Sequence, residues 1–364
     1  MPKHIDEERN ATQDKCDQCG SQLSDAVVVR SRVIEDIPEI KPKVIKYNIE
    51  RRYCPNCKKM KEVKVAEALP NARFSLKEMQ IIGYMKTVER LPVQRVVEMM
   101  SDLFGLKVSE GEIMKIVEEL SKYFKEEYKE IVESMRKAKA RYIDETSWRV
   151  DGKNAWVWAF VTKNETIYEI AESRKHDVAA KVMGKHEGVD MHDGFSAYVR
   201  LEKETKNPQA WCWAHMIRDA KELKEYNEKE GTYILSILKS VYDKAKEYVK
   251  TCVEVGEEEL NRLYEEFRYI DTSYESKKCR GFVGNMLKRG RDDLFRFVIN
   301  REVESTNNRA ERAIRPIVTY RKVSGGSRSD KGASNFSIVY TVMKTRRKRY
   351  NSWLRFTPNL ASNG

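Results

Sequence analysis

Apolar positions between residues 140 and 173 fall into three short runs, ARYIDETSW, NAWVWAFVT and TIYEIAES, joined by VDGK and KNE. Connections this short suit an antiparallel meander. HDVAAKVMGKHE then takes up a helical period. GVDMHDGFSAY reads as a fourth strand ending at His192-Asp193-Gly194, and NPQAWCWAH as a fifth that passes into the helix MIRDAKELKEY. Upstream, residues 69 to 137 are helical in period, with LPVQRVVEMMSDLFGLKVSEGEIMKIVEELSKYF giving two segments split at FGLK. Ser109 and Glu112 have capping-box spacing, so the pair is either a helix-turn-helix or an ordinary helical hairpin. KYFKEEYKEIVESMRKAKA continues as one long amphipathic helix. Nearer the N-terminus, AVVVRSRVIEDIP and KVIKYNIERRY alternate like strands. Residues 226–296 are charged and helix-periodic, EVESTNNRAERAIRP brings a capped helix, KVSGGSRSDKGAS reads as a loop, and NFSIVYTVMKTRRKRYNSWLRF as a last helix.

This order predicts a mixed α/β (α+β) chain. Three antiparallel strands, a helix, then further strand and helix units make a ribonuclease H-like core. The expected organisation is a flexible tail over 1–15, a zinc-ribbon-like unit over 16–66 and a helical segment over 67–137. The first part of the core follows over 138–225, a helical insertion over 226–296, and the rest of the core over 297–364.

Charge adds a partner. Lys+Arg outnumber Asp+Glu by 69 to 57, a net +12, and a basic balance favours polyanions, chiefly nucleic acid. No apolar run reaches the ~18–20 residues of a membrane helix, and the polar start MPKHIDEERNATQDK is not a secretory signal. A cytoplasmic protein without a membrane partner is expected.

Four of the seven cysteines, Cys16, Cys19, Cys54 and Cys57, form two Cys-x-x-Cys pairs around the strand-like stretch. Such knuckles can supply four thiolates to one tetrahedral, structural Zn²⁺; two unrelated Cys pairs are the alternative. An odd cysteine count without a secretory signal argues against a disulfide scaffold.

Asp144 lies on the first core strand, and a carboxylate there is costly unless paired or bound to a cation. Asp193 ends the fourth strand just before Gly194. In a ribonuclease H-like sheet those strands are neighbours, so the two carboxylates face one point and suit Mg²⁺. Glu145 points to the opposite face by strand alternation. Glu304 and Glu311 are candidates for a third acid. Ser305 or Thr306 is the expected N-cap of a helix starting near Asn307, which puts Glu311 one turn in, with Asn307, Asn308 and Arg315 on its face. A side chain on a packed helix is held more tightly than one in a loop, which favours Glu311. Arg309, Arg312, Arg315, Arg321 and Lys322 cluster around it as candidate DNA-backbone contacts. Arg328 lies in the GGSRSDKG loop, whose N–H groups could take a phosphate. KTRRKR (344–349) is a further candidate track. His192 either contacts DNA or is a buried histidine. Cys212-x-x-His215 has no second pair nearby and reads as structural. No Ser-His or Cys-His arrangement offers a protein nucleophile.

Taken together, CDQCG…RRYCPNC, YIDETSWRVDGK, HDGFSAY, CWAHMIRDAKEL and ESTNNRAERAIRP…RKVSGGSRSDKGAS resemble the transposases of the insertion sequence 66 family, from about residue 16 to the C-terminus. The resemblance implies a DDE transposase, with catalytic acids at Asp144, Asp193 and Glu311, two Mg²⁺ (or Mn²⁺), and Zn²⁺ in the N-terminal segment. It implies metal-dependent 3′-end cleavage and strand transfer on terminal inverted repeats and target DNA. It further implies a homo-oligomer on DNA and accessory proteins encoded by the same element. A ribonuclease H-like nuclease without strand transfer, or an inactive zinc-ribbon DNA-binding regulator, are the rival functions. Family members often carry a longer region ahead of the cysteines, so a short variant or truncated copy is expected.

Overall fold

The computed structural model describes residues 4–353 except 27, 29, 185, 195–197, 199, 201, 202, 204, 205 and 252–254. It is a mixed α/β chain with a five-stranded sheet and many helices.

The N-terminal stretch holds one hairpin, β1 (Arg51–Cys54) and β2 (Lys59–Glu62), paired antiparallel around the second Cys-x-x-Cys. The alternating residues 26–50 form no strand among those described, which corrects the expectation; Val27 and Val29 lie outside the described residues. Alternation makes a strand only where the apolar side has a layer to bury it. Here Val28, Ile34, Ile37 and Val44 are all largely exposed.

Four helices follow: α1 (Leu76–Thr87), α2 (Val93–Phe104), α3 (Glu110–Tyr123) and α4 (Lys125–Arg136). Gly105 closes α2 with φ +62, a left-handed conformation that favours glycine. The Ser109–Glu112 capping box opens α3: Glu112 N donates to Ser109 Oγ at 3.2 Å and Ser109 N to Glu112 Oε2 at 2.9 Å. The long helix expected after α3 breaks at Phe124, whose φ −82, ψ −1 separates α3 from α4. The outer side of α3 carries Glu110, Glu112, Glu118 and Glu119 with Lys115 and Lys122, and Arg73 and Lys331 pair with Glu112 and Glu118 from neighbouring segments.

β3 (Ala140–Val150), β4 (Lys153–Val161) and β5 (Thr166–Ala171) form the meander. Asp151 and Gly152 (φ +50 and +73) make its first turn, both in the positive-φ region that a tight hairpin needs. α5 (His176–Met183) leads to β6 (Val189–His192), and β7 (Gln209–Trp211) follows. The sheet order is β5-β4-β3-β6-β7, with β6 parallel to β3 and β7 parallel to β6.

Helices cover both faces. Ile143, Trp158, Phe160 and Ile167 pack with α1–α4 and with part of the last helix (Val339, Val342, Met343). Tyr142, Trp148, Val157 and Met191 pack on the other face with Ala310, Ile314, Ile317 and Tyr320 of the helix Asn308–Ser324. Between the fifth strand and that helix run α6 (Trp213–Glu222), α7 (Glu228–Lys250), α8 (Glu257–Arg268), α9 (Lys277–Leu287) and the short α10 (Arg291–Leu294) and α11 (Arg296–Ile299). α12 is Asn308–Ser324 and α13 Asp330–Tyr350. The predicted loop 322–334 therefore shrinks to residues 325–329, because Ser329 caps α13 early, its Oγ accepting from Gly332 N at 3.1 Å.

Candidate active site

The register of β3 with β6 places the first two acids. Ala140 pairs with Val189, Arg141 with Asp190 and Tyr142 with Met191. The pairing ends there; Asp193 follows two residues after Met191, just past the strand, and stands near enough for its charge to act on Asp144. In parallel strands, residues paired in this way point to the same face. Tyr142 and Met191 identify it as the face covered by α12. Gly194, with φ +90, lets the chain leave at once, and a Cβ there would meet the Trp211 ring at 1.9 Å. His192 is a buried histidine rather than a surface contact. Its Nε2 lies 3.0 Å from Gln209 Oε1, and its Nδ1 accepts from Gly194 N at 3.0 Å. That second bond shapes the turn carrying Asp193. Burial lowers the imidazole to about 4, so it is neutral at physiological pH.

Glu145 lies on the opposite face. Its side chain is 2% exposed and pairs with Arg174 at 2.6 Å. It also accepts from the Tyr198 hydroxyl. Asp144, by contrast, has no cation partner among the described residues; its Oδ1 accepts only from Glu145 N, at 2.9 Å. Burial raises Asp144 to about 7, and the charges of Glu145, Asp193 and Glu311 push the same way, with only the Glu145 N–H opposing.

Glu311 is on the first turn of α12. The helix N-cap is Asn307 rather than Ser305 or Thr306. Asn307 is buried and its side chain does not cap: Nδ2 donates to Ile143 O at 2.7 Å, and its own N–H donates to Cys212 Sγ at 3.1 Å. Cys212, at the start of α6, thus ties the mouth of α12 to the strand residue beside Asp144. His215 completes the bracket, its Nδ1 3.1 Å from Cys212 Sγ and 3.6 Å from Glu311 Oε1. Asn308 is exposed. Glu304 is occupied elsewhere, paired with Arg309, whose guanidinium also lies over the Tyr142 ring. Among the described residues, the one group of three His, Cys, Asp or Glu ligands gathered within 4.8 Å is Cys212, His215 and Glu311. Glu311 therefore leans toward His215 and does not close on Asp144 and Asp193.

The expected cations divide. Arg312, Arg315, Lys322 and Arg328 are exposed, and none has a carboxylate partner among the described residues. Arg309 is held by Glu304, and Arg321 donates to Ser147 O at 2.6 Å. Three N–H groups of the glycine loop are taken within the fold. Its Gly325, Gly326 and Ser327 N–H groups already donate to Arg321 O, Ser324 Oγ and Arg149 O. A Cβ on Gly326 would stand 2.3 Å from Arg149 O. KTRRKR is divided: Arg346 is buried against Glu127 at 2.5 Å, while Arg347, Lys348 and Arg349 are exposed, Arg349 pairing with Glu165 at 2.7 Å and Lys348 donating to Thr162 O at 2.6 Å.

The profile of the family described as "Transposase IS66 family" matches residues 77–335, more than half of the chain. The chain belongs to the IS66 transposase family. A second profile, "zinc-finger binding domain of transposase IS66", matches residues 13–58. The chain is also similar to the uncharacterized protein y4qI of Sinorhizobium fredii, 24% identical over 257 residues. That alignment covers 59% of this chain and 46% of the relative, so it spans about half the length of the curated relative.

The zinc-finger match of this IS66-family chain takes in all four N-terminal cysteines. Each pair makes a tight knuckle. Gly20 N donates to Cys16 O at 2.9 Å, and Cys57 N donates to Cys54 Sγ at 3.4 Å. Bonds from Ser21 hold the Cys19 thiol below its usual range, and the Cys57 N–H does the same for Cys54. Four such thiols are the donor set that Zn²⁺ takes. The two knuckles are formed separately here, and no three of their sulfurs are gathered as one ligand group. No helix among the described residues is long and apolar enough to cross a membrane.

Proposed function

We propose that this IS66-family chain is a DDE transposase that cleaves the 3′ ends of its element and joins them to target DNA. Its sheet is read as a ribonuclease H-like core. The observation that carries the reading is the parallel pairing of β3 with β6 under the helix that bears Glu311, with the charges of Asp193 and Glu311 both acting on Asp144. The meander-then-parallel strand order supports the core assignment.

Asp144, Asp193 and Glu311 would hold Mg²⁺ or Mn²⁺, since hard carboxylates suit those ions. Bound divalent metal supplies Lewis-acid activation of water or a 3′-hydroxyl and stabilises the leaving 3′-oxygen. The protein's own part is to keep Asp144 desolvated and unpaired with lysine or arginine. Meanwhile Arg174 pairs with Glu145 on the far face, and the Tyr198 hydroxyl donates to it. Asn307 and Cys212 fix where α12 begins, so Glu311 swings from a set base. Arg312, Arg315 and Lys322, on the outer side of the same helix, take the DNA backbone without reading sequence.

In Mg²⁺ with duplexes of the element's own ends, Glu311→Gln abolishes cleavage and joining, while Glu304→Gln retains most of both. Equal loss in the two variants, or none in either, overturns the assignment of Glu311. Cleavage without joining in the parent protein would instead favour the nuclease. For the DNA track, alanine at Arg312, Arg315 or Lys322 lowers the slope of log affinity against log salt by about 1 per phosphate contact. Filter binding at several salt concentrations reads it; an unchanged slope removes that residue from the interface.

A further inference from the structure

We propose that Cys212, His215 and Glu311 form a soft-metal site of the zinc class, separate from the four N-terminal cysteines. The Cys-x-x-His pair is only half a site in the sequence. The fold supplies the third ligand from α12, 96 positions beyond His215. Their ligand atoms lie within 4.8 Å of one another, with Sγ to Nδ1 at 3.1 Å and Nδ1 to Oε1 at 3.6 Å. With Zn–S near 2.3 Å and Zn–N near 2.0 Å, tetrahedral ligands stand roughly 3.5 Å apart, so only small side-chain shifts are needed. One ring nitrogen faces both a sulfur and a carboxylate oxygen. A single N–H can serve one of them, whereas a metal ion among the three serves all.

The sulfur already accepts one N–H, that of Asn307 at 3.1 Å, and stands at the N-terminus of α6. Burial holds the thiol above its usual range, with nearby N–H groups acting the other way, and a bound metal ion would displace its proton. Cys212 is buried, while the side chains of His215 and Glu311 are 15% and 29% exposed. A metal ion therefore has a route in, and three protein ligands leave one position for water or a phosphate oxygen.

The consequence rests on the transposase reading above. Glu311 cannot serve this site and the Asp144–Asp193 pair together, so zinc here withdraws the third acid and inhibits the Mg²⁺-supported reaction.

Two measurements test these claims apart. First, the full-length protein and His215→Ala are equilibrated with buffered Zn²⁺, and bound zinc is counted by mass spectrometry. His215→Ala leaves the Cys212–Asn307 bond in place, and its thermal melt checks folding. The parent should bind one zinc per chain more than the variant, and cobalt substitution should show a thiolate charge-transfer band that weakens in Cys212→Ala. Equal zinc content in parent and His215→Ala overturns the site, whatever the activity. Second, zinc is titrated into Mg²⁺-supported end cleavage. The zinc concentration for half-inhibition should rise about tenfold or more in His215→Ala, the cost of weakening a metal site. Extra zinc bound without inhibition overturns the regulatory half alone.

Discussion

Replacing Asp144 by Asn is expected to abolish Mg²⁺-dependent end cleavage and, in metal-free buffer, to raise the melting temperature at pH 8. The two effects share one cause. Asp144 is desolvated on a core strand, with Glu145, Asp193 and Glu311 all adding negative potential, and it is raised to about 7. The unfolded chain releases that proton near pH 4. Below pH 4 both states hold it, and folding loses nothing. As the pH climbs toward 7 the unfolded state gains by ionising first, so stability falls, and the full penalty stands above pH 7. Roughly three decades of proton affinity correspond to about 4 kcal/mol at most. Asn keeps an oxygen for the Glu145 N–H and carries no charge, so the penalty goes. The variant should melt several degrees higher than the parent at pH 8 and at the same temperature at pH 4. Added Mg²⁺ should stabilise the parent through binding to the folded state, and the variant much less. Loss of a metal-binding carboxylate costs on the order of a thousandfold in rate, or about 4 kcal/mol of transition-state stabilisation. A variant that cleaves within tenfold of the parent, or melts lower at pH 8, refutes the role given to Asp144.

Much of this arrangement is legible in the sequence, for local reasons. The meander shows because VDGK and KNE are short, and Asp144 stands apart from Glu145 because a strand alternates strictly. What is hidden depends on distant partners. Residues 26–50 alternate as well as any strand, but no layer lies beneath them. KTRRKR looks like a DNA track, yet Glu127, far away in the chain, draws Arg346 inward, and Glu165 pairs with the exposed Arg349. The glycine loop looks like a phosphate cradle, yet Arg149 O, at the end of β3, takes the Ser327 N–H. Cys212 gives no sign that its sulfur reaches Asn307. Asn307 itself reads as a helix start, whereas it is a strut between α12 and β3. A signal existed in one case: an Arg and an Asp at apolar strand positions, 141 and 190, whose spacing of 49 equals that of Asp144 and Asp193.

That last pair should carry the largest stability effect in the core. Arg141 and Asp190 are both fully buried and sit opposite each other in the β3–β6 register. Arg141 Nε donates to Asp190 Oδ1 at 2.8 Å. Nη2 is 2.7 Å from the same oxygen, but too far off line to count as a hydrogen bond, so that contact is Coulombic. Asn207 Nδ2 donates to Oδ2 at 3.0 Å, and His186, kept neutral by burial, lies 3.2 Å from Oδ1. Burial raises Asp190 and lowers Arg141, so desolvation outweighs the attraction on both sides. Such a pair adds little net stability, yet removing one member leaves a buried charge alone, at about 3–5 kcal/mol. Asp190→Ala should therefore unfold at markedly lower urea, while Arg141→Met with Asp190→Leu recovers most of the loss. The pair's value is then register. A slip of one residue would turn Asp193 to the opposite face from Asp144, and a charged pair at 141 and 190 penalises that slip where an apolar pair does not. The double variant should fold stably and still lose end cleavage. Asp190→Ala costing under about 1 kcal/mol, or a double variant with parental activity, would show that the strands need no such lock.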